Sequence, residues 1–357
     1  VRLFRVKGYN AFWFGGLKHF TEEEHYLPGL ELPSIMRTFR LIKKGTPCYG
    51  VFFWKEDEKD IFIPVPADVV GERKKGRFEK GDLKISYYSE ESCVPEIDEK
   101  EKAYEPLDRY FISSENLKTA WAEGREKDLK VIPADELFAS ENRVGLKLNK
   151  NTMTGEIGRL YFHDRMRLQS GVSICFLAEE LDTSRGEFFG GERNPAEVEE
   201  VNRLPEGFSG LVKPREIKKG KRYKFYILTH TFVKGGLLKN RDSGKKLTLE
   251  DRDKNKVEFE LLWVFSKGSE LVSGWRRPAL EMLKPGTVLV LVACEDSKDF
   301  GSLCQIRSSP QVLYIDWEDG EEKVLDDKTF FKRGWNSGIL VEDKKGGEKD
   351  EEGPLLP

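Results

Sequence analysis

Short apolar strands in both halves, few helix signatures and charged, glycine-punctuated segments between them predict an α+β chain built from antiparallel sheets. No G-x-G-x-x-G follows a strand and no Walker motif occurs, which argues against a nucleotide-binding parallel-sheet enzyme. At 357 residues the chain exceeds one ordinary core, so two domains are expected, over 1–185 and 186–341, followed by a disordered charged tail at 342–357.

The opening stretch VRLFRVKGYNAFWF (1–14) alternates and then turns aromatic, as a first strand does. Pro33 and Ser34 open a helix, PSIMRTFRLIKK, with Ile35, Met36, Phe39 and Ile42 on one face and Arg37, Arg40 and Lys44 on another. Strands are expected at 49–54, 61–65, 143–148, 159–168 and 172–179. The charged region from about 71 to 102, punctuated by Gly71, Gly76 and Gly81, reads as a long hairpin or insertion. Beyond Gly186, the run Asn194, Pro195, Ala196 and Glu197 has the cap, first-turn proline and acidic first turn of a short helix. Strands follow at 222–228, 257–265, 287–293 and 312–317. An antiparallel sheet with helices on one face is the plan of the RNA-recognition-type ferredoxin-like fold, and two such domains with long inserted loops or hairpins are expected.

Acids and bases nearly cancel, 63 against 60, for a net charge of −3. A general polyanion sink would be basic throughout, so nucleic-acid binding must rest on local patches or on neighbouring subunits. The five cysteines are scattered and form no C-x-x-C pair, which excludes an encoded disulfide framework or zinc site; neither a metal nor a cofactor is expected. Cys175, inside VSICFLA, is expected in the core. No apolar run approaches the roughly 20 residues of a membrane span, and a cytoplasmic protein with no membrane partner is predicted.

Three segments place glycine beside an aromatic or turn residue with arginine adjacent: FGGERN (189–194), SGWRRP (273–278) and KRGWNSG (332–338). Glycine admits close approach to the main chain, and arginine offers a planar donor fork to phosphates and base edges. Candidate RNA-binding residues are therefore Gly190, Gly191, Arg193, Arg276, Arg277, Arg333, Gly334, Asn336 and Gly338. Trp275 and Trp335 are candidate interface anchors. Arg37, Arg40, Lys43 and Lys44 include no acid between them and are candidate contacts to RNA phosphates; the plain alternative is an amphipathic surface helix. The stretch KPREIKKGKRYK (213–224) holds seven cations and one acid, which makes Lys218 and Lys219 candidates for an electrostatic footprint; a solvated loop is the plain alternative.

The basic helix at 30–40, RVGLKLNKNTMTGEIGRLYFHDRMRL (143–168), FFGGERN, SGWRRP and the late KRGWNSG follow one another in an order that resembles the RAMP superfamily of CRISPR proteins. Within it, the series is similar to the family of subunit three of the type III-B Cmr effector complex, over roughly residues 1 to 342. The resemblance implies two ferredoxin-like domains and no catalytic role. It implies a grip on the 5′ tag of the crRNA, docking on the large polymerase-like subunit, a neighbouring backbone RAMP subunit, and indirect contact with target RNA. It also implies a thumb-like hairpin at Thr154, Gly155, Gly158 and Arg159, which brings Arg143, Arg165 and Arg167 into consideration as RNA contacts. Two rival readings remain: a metal-independent riboendonuclease that matures CRISPR transcripts, with His163 as general acid or base, and a scaffold that binds only protein.

Overall fold

The computed structural model describes residues 1–12, 48–72, 83–89, 94–96, 104–125, 129–148, 155–181, 188–189, 194–233, 245–272, 280–307, 312–315, 321–325 and 334–344. An eight-stranded sheet dominates the first part. Its strands lie in the order Val131–Pro133, Tyr110–Ser113, Asp60–Pro64, Cys48–Lys55, Val172–Ala178, Arg2–Gly8, Asn194–Val201 and Phe188–Phe189. All these pairings are antiparallel. Successive side chains alternate faces, and both faces are buried. Leu3, Phe52, Ile61, Ile63, Cys175 and Leu177 join one core. Phe4, Phe53, Phe62, Ile174 and Phe176 join a second core on the other side. Strands covered on both faces read as unbroken apolar runs, which is why DIFIP and VSICFLA were legible as strands.

The helix expected from Asn194 is a strand. Asn194–Val201 bonds to Arg2–Gly8 on one side and to Phe188–Phe189 on the other. Its cap-like start is overruled by period-2 patterning: Ala196 and Val198 pack into the second core, while its acids meet cations across the ladder. Arg2 bonds Glu200 at 2.8 Å, and Glu199 takes Arg5 at 2.9 Å and Lys7 at 2.8 Å. The large sheet thus continues to Val201, beyond the expected boundary at 185/186.

The second part closes on itself instead of forming an open four-stranded sheet. Strands Arg222–Ile227, Val288–Ala293, Lys256–Phe265, Lys245–Asp251, Leu303–Arg307 and Ser337–Glu342 make a closed antiparallel barrel. Tyr223, Phe225, Leu249, Phe259, Leu289 and Leu340 fill its interior. The alternate residues Tyr226, Val288, Val290, Ile339 and Val341 point outward and join the first core of the large sheet. The barrel wall and the sheet therefore share one apolar layer. Mostly antiparallel sheet with few helices is what the two halves have in common; Ser114–Leu117 and Glu206–Leu211 are short α-helices.

Polar groups seal the seam. Lys224 Nζ donates to Asp68 Oδ2 at 2.7 Å with both side chains buried, and Asp343 Oδ1 lies 3.9 Å from the same ammonium. Tyr226 Oη donates to Pro64 O at 2.6 Å, and Lys267 Nζ donates to Leu107 O at 2.6 Å. Glu342 and Asp343, assigned from sequence to a disordered tail, belong to the last barrel strand and its buried exit. The insertion expected at about 71–102 shows a small sheet of Val69–Gly71, Leu83–Ile85 and Glu105–Pro106, with Val69, Leu83 and Ile85 docked in the shared core.

From the other side of the large sheet a two-stranded arm departs. Phe138–Leu148 pairs with Gly155–Leu168 from Phe138↔Leu168 at the root to Leu148↔Gly155, with a register shift near Leu146. At about 3.4 Å per residue, such a ribbon reaches roughly 35 Å. Leu137, Phe138 and Met166 root it in the second core.

Removing the ammonium of Lys224 leaves a carboxylate buried without its counter-charge. Lys224→Met should lower the unfolding free energy by about 3 kcal/mol in chemical denaturation. Combining it with Asp68→Asn should restore a large part of that loss. Equal stability of Lys224→Met and the parent chain would show that the pair does not hold the seam.

Candidate nucleic-acid interface

The arm places several predicted contacts. Gly155 opens its returning strand, and Gly158 and Arg159 lie within it. Arg143 stands opposite His163 in the ladder, and Arg159 lies one position toward the tip from the Leu146–Leu160 pair. At the root, Arg165 and Arg167 flank the buried Met166; Arg167 is exposed and its Nε donates to Glu141 Oε2 at 2.8 Å. Arg143, Arg159 and the Arg165–Arg167 root thus follow one another along a single projecting ribbon.

The basic stretch 213–224 does not form a continuous cationic surface. Arg222 and Lys224 are buried because their strand is covered on both faces. Arg215 is half-buried, donates to Ser302 Oγ at 2.6 Å and Leu211 O at 3.1 Å, and has its pKa lowered chiefly by burial. Lys213, Lys218, Lys219 and Lys221 remain exposed. Acids meet these: Glu216 lies 3.5 Å from Lys218 Nζ, Glu342 lies 3.1 Å from Lys221 Nζ, and Asp296 accepts the Lys219 backbone N–H at 2.7 Å. The charge seen along the sequence is partly folded inward and partly met by Glu216 within the stretch and by Glu342 of the closing strand.

The glycine-rich segment 334–338 is likewise internal. Trp335 is only 4% exposed, so its indole fills the chain's own core rather than offering interface surface. Asn336, at φ 61°, accepts from the Phe232 N–H through Oδ1 at 2.8 Å and donates its own backbone N–H to His230 O at 3.0 Å. Its Nδ2 donates to Phe232 O and Ile306 O at 3.3 and 3.4 Å. Gly334 takes φ 68°, and a Cβ there would stand 2.6 Å from Cys48 O. Gly338 sits in the closing strand, facing the ring of Phe225. Gly334, Asn336 and Gly338 close the barrel and brace it on the large sheet. They are buried rather than presented to RNA.

His230 has a partner that the sequence did not disclose. Its Nε2 is hydrogen-bonded to Glu270 Oε1, and both side chains are nearly closed to solvent. Burial, reinforced by Lys284, pushes His230 down to about 3. Burial pushes Glu270 up to about 7, with Lys284 opposing. Below about pH 7 both shifts favour the neutral forms of the pair, in which the carboxyl O–H donates to Nε2. It ties the barrel exit to Ser269–Val272, whose strand pairs with Leu280–Leu283. Closed in this way, it offers no acid–base couple to an RNA hydroxyl.

Arg37, Arg40, Lys43, Lys44, Thr154, Gly190, Gly191, Arg193, Trp275, Arg276, Arg277 and Arg333 lie outside the described residues. Among the described residues, no group of three or more His, Cys, Asp or Glu could hold a metal ion, and no helix is long and apolar enough to cross a membrane. Cys175 is buried, as expected, and burial pushes its thiol pKa up; Cys48 is pushed up to about 12 for the same reason.

A sequence model described as CRISPR-associated protein (Cas_Cmr3) matches residues 35–302, most of the chain. The chain belongs to that family. The matched span takes in the arm and the segments at 189–194 and 273–278, and it ends before the barrel-closing loop of this Cas_Cmr3 family member. Similar solved structures include a type III-B Cmr-beta bound to cognate target RNA and AMPPnP, at 14% identity and a TM-score of 0.40, covering 81% of this chain and 86% of that one. Another is a Csm3–Csm4 subcomplex of the type III-A CRISPR-Cas interference complex, at 14% identity and a TM-score of 0.38, covering 84% and 95%. Similarity of this size transfers no residue role. Among curated proteins none matches the sequence.

Two outcomes are expected from this geometry. Asn336→Ala removes the acceptor of the half-buried Phe232 N–H and the donor to Phe232 O and Ile306 O, and should cost about 2 kcal/mol of stability, while leaving the RNA affinity of the folded chain unchanged; thermal melting and a binding titration check both. The buried pair sets a pH signature. Between the ordinary carboxyl pKa of 4.5 and imidazole pKa of 6.5, the unfolded pair carries one proton on histidine and the folded pair one on Glu270, so their contributions cancel. Glu270→Gln removes the compensating proton, so the depressed histidine acts alone. Stability of that variant, relative to the parent, should then fall as pH drops below 6.5, by about 1.4 kcal/mol per pH unit. Parallel pH–stability curves for the two proteins would contradict the neutral pair.

Proposed function

We propose that this chain is a non-catalytic, RNA-binding subunit of a type III-B CRISPR effector complex that grips the 5′ tag of the crRNA. It docks on the large polymerase-like subunit, abuts a backbone RAMP subunit and meets target RNA only indirectly. The observation that carries this reading is the arm in a chain of the Cas_Cmr3 family: a long ribbon with Arg143, Arg159, Arg165 and Arg167 along it, rooted in a rigid core. A ribbon of this kind follows a phosphate backbone by charge without reading sequence. Phosphate grip is assigned also to Arg37, Arg40, Lys43 and Lys44, and base reading to the loop of Gly190, Gly191 and Arg193, where glycines admit unstacked bases to the main chain. Further phosphate contacts are assigned to Lys218 and Lys219, the exposed lysines of the basic stretch, and to Arg276, Arg277 and Arg333.

In the assembled complex, Arg40→Ala should weaken binding of matched and scrambled 5′ tags alike, by about 1–3 kcal/mol, and lower the salt slope by about 0.7. A loss confined to the matched tag would reassign Arg40 to base reading. Single-turnover cleavage of repeat RNA by the isolated chain in EDTA, abolished by His163→Ala, would replace the proposal with the riboendonuclease.

A further inference from the structure

Tyr9 is 70% exposed, against 44% for Val324, the other large apolar side chain left open among the described residues. Its position is fixed from both sides. Before it, Gly8 ends the first strand in register with Ala196. After it, Phe12 exchanges two backbone hydrogen bonds with Met166 at the arm root, at 2.8 and 2.7 Å. The Phe12 ring lies so close against Gly8 that a Cβ there would meet its Cζ at 1.9 Å. Residues 9 and 10 are thus a tight exposed bend between two pinned ends, with Phe12 buried beneath it. A tyrosine held in this way stays outside while its neighbours are secured in the core, and its ring loses little conformational freedom when something stacks on it.

The location indicates what stacks there. The bend is at the foot of the arm, and its strands, 138–148 and 155–168, carry Arg143, Lys147, Arg159, Arg165 and Arg167 against Glu141, Glu156 and Asp164. Elsewhere the chain is net acidic, with −3 over its whole length. A flat, sequence-tolerant aromatic face beside a cationic track is the arrangement that holds unpaired nucleotides. We propose that Tyr9 is a stacking platform for one unstacked base of single-stranded RNA whose phosphates run along the arm. This rests on the RNA-binding reading above and adds a site to it.

The test uses the full chain and fluorescent single-stranded RNA at several salt concentrations. Tyr9→Ala should lower affinity about tenfold, and Tyr9→Trp should match or exceed the parent. The salt slope should be the same in all three proteins, because stacking releases no counter-ions. RNA carrying 4-thiouridine should cross-link to the peptide containing Tyr9. If Tyr9→Ala binds within twofold of the parent, or if Tyr9→Trp is as weak as Tyr9→Ala, the platform is wrong. A variant with unchanged RNA affinity but weaker association with a partner subunit makes Tyr9 a protein contact and equally overturns it. A parent chain that binds no RNA at all overturns the RNA-binding reading itself, and that outcome is visible before any variant is made.

Discussion

The buried ion pair between Lys224 and Asp68 is the constraint on which the rest of the architecture depends. It spans the seam where the barrel wall meets the large sheet, with the ammonium 2.7 Å from one carboxylate and 5.5 Å from the centre of the Trp121 ring. Burial raises the pKa of Asp68, and the Lys224 ammonium opposes this rise. Neither charge would be tolerable alone in the apolar layer of Tyr226, Val288, Val290 and Ile339 that surrounds the seam. An apolar layer can slide; a paired charge inside it fixes one register of sheet against barrel.

With that register fixed, the remaining elements acquire definite places. The large sheet is buried on both faces, and its second core holds the root of the arm through Phe138 and Met166. A ribbon can project from the body only if its root is immobile. Phe12 supplies the last clamp by bonding Met166 from the far end of the first strand. The basic ribbon and the exposed bend at its foot are thereby held on the same foundation, so any ligand that touches both meets a preformed surface.

Two segments rich in RNA-binding residue types turn out to be structural. The loop 334–338 uses glycine and a positive-φ asparagine to pack against Cys48 of the large sheet and lead into the closing strand, and Asn336 satisfies backbone groups of Phe232 and Ile306. In the basic stretch at 213–224, Arg222 and Lys224 are buried in a strand covered on both faces, Glu216 within the stretch meets Lys218, and Glu342 of the closing strand meets Lys221. Composition at these places is the same for a binding loop and for a brace. Only the partners, some hundred residues away, distinguish the two.

Strands buried on both faces, such as Cys48–Lys55, Val172–Ala178, Arg222–Ile227 and Val288–Ala293, were legible because an apolar run bounded by turn residues has few other solutions. The two strands of the arm were legible in part, at 143–148 and 159–168, their joining into a hairpin came from the family resemblance, and the family came from the order of motifs. Lys245–Asp251 and Leu303–Arg307 were not legible, since only Leu247, Leu249, Cys304 and Ile306 face the interior and, Leu303 apart, the rest of each strand is polar. Asn194–Val201 carried the local signs of a helix start, and its long-range ladder with Arg2–Gly8 overrode them. The amino-acid sequence by itself determined the doubly buried strands, the antiparallel character and the family, because these follow from local periodicity and motif order. Tertiary structure alone decided that the second half closes into a barrel, which cations face solvent and where Tyr9 stands, because each depends on pairing between segments that no local pattern connects.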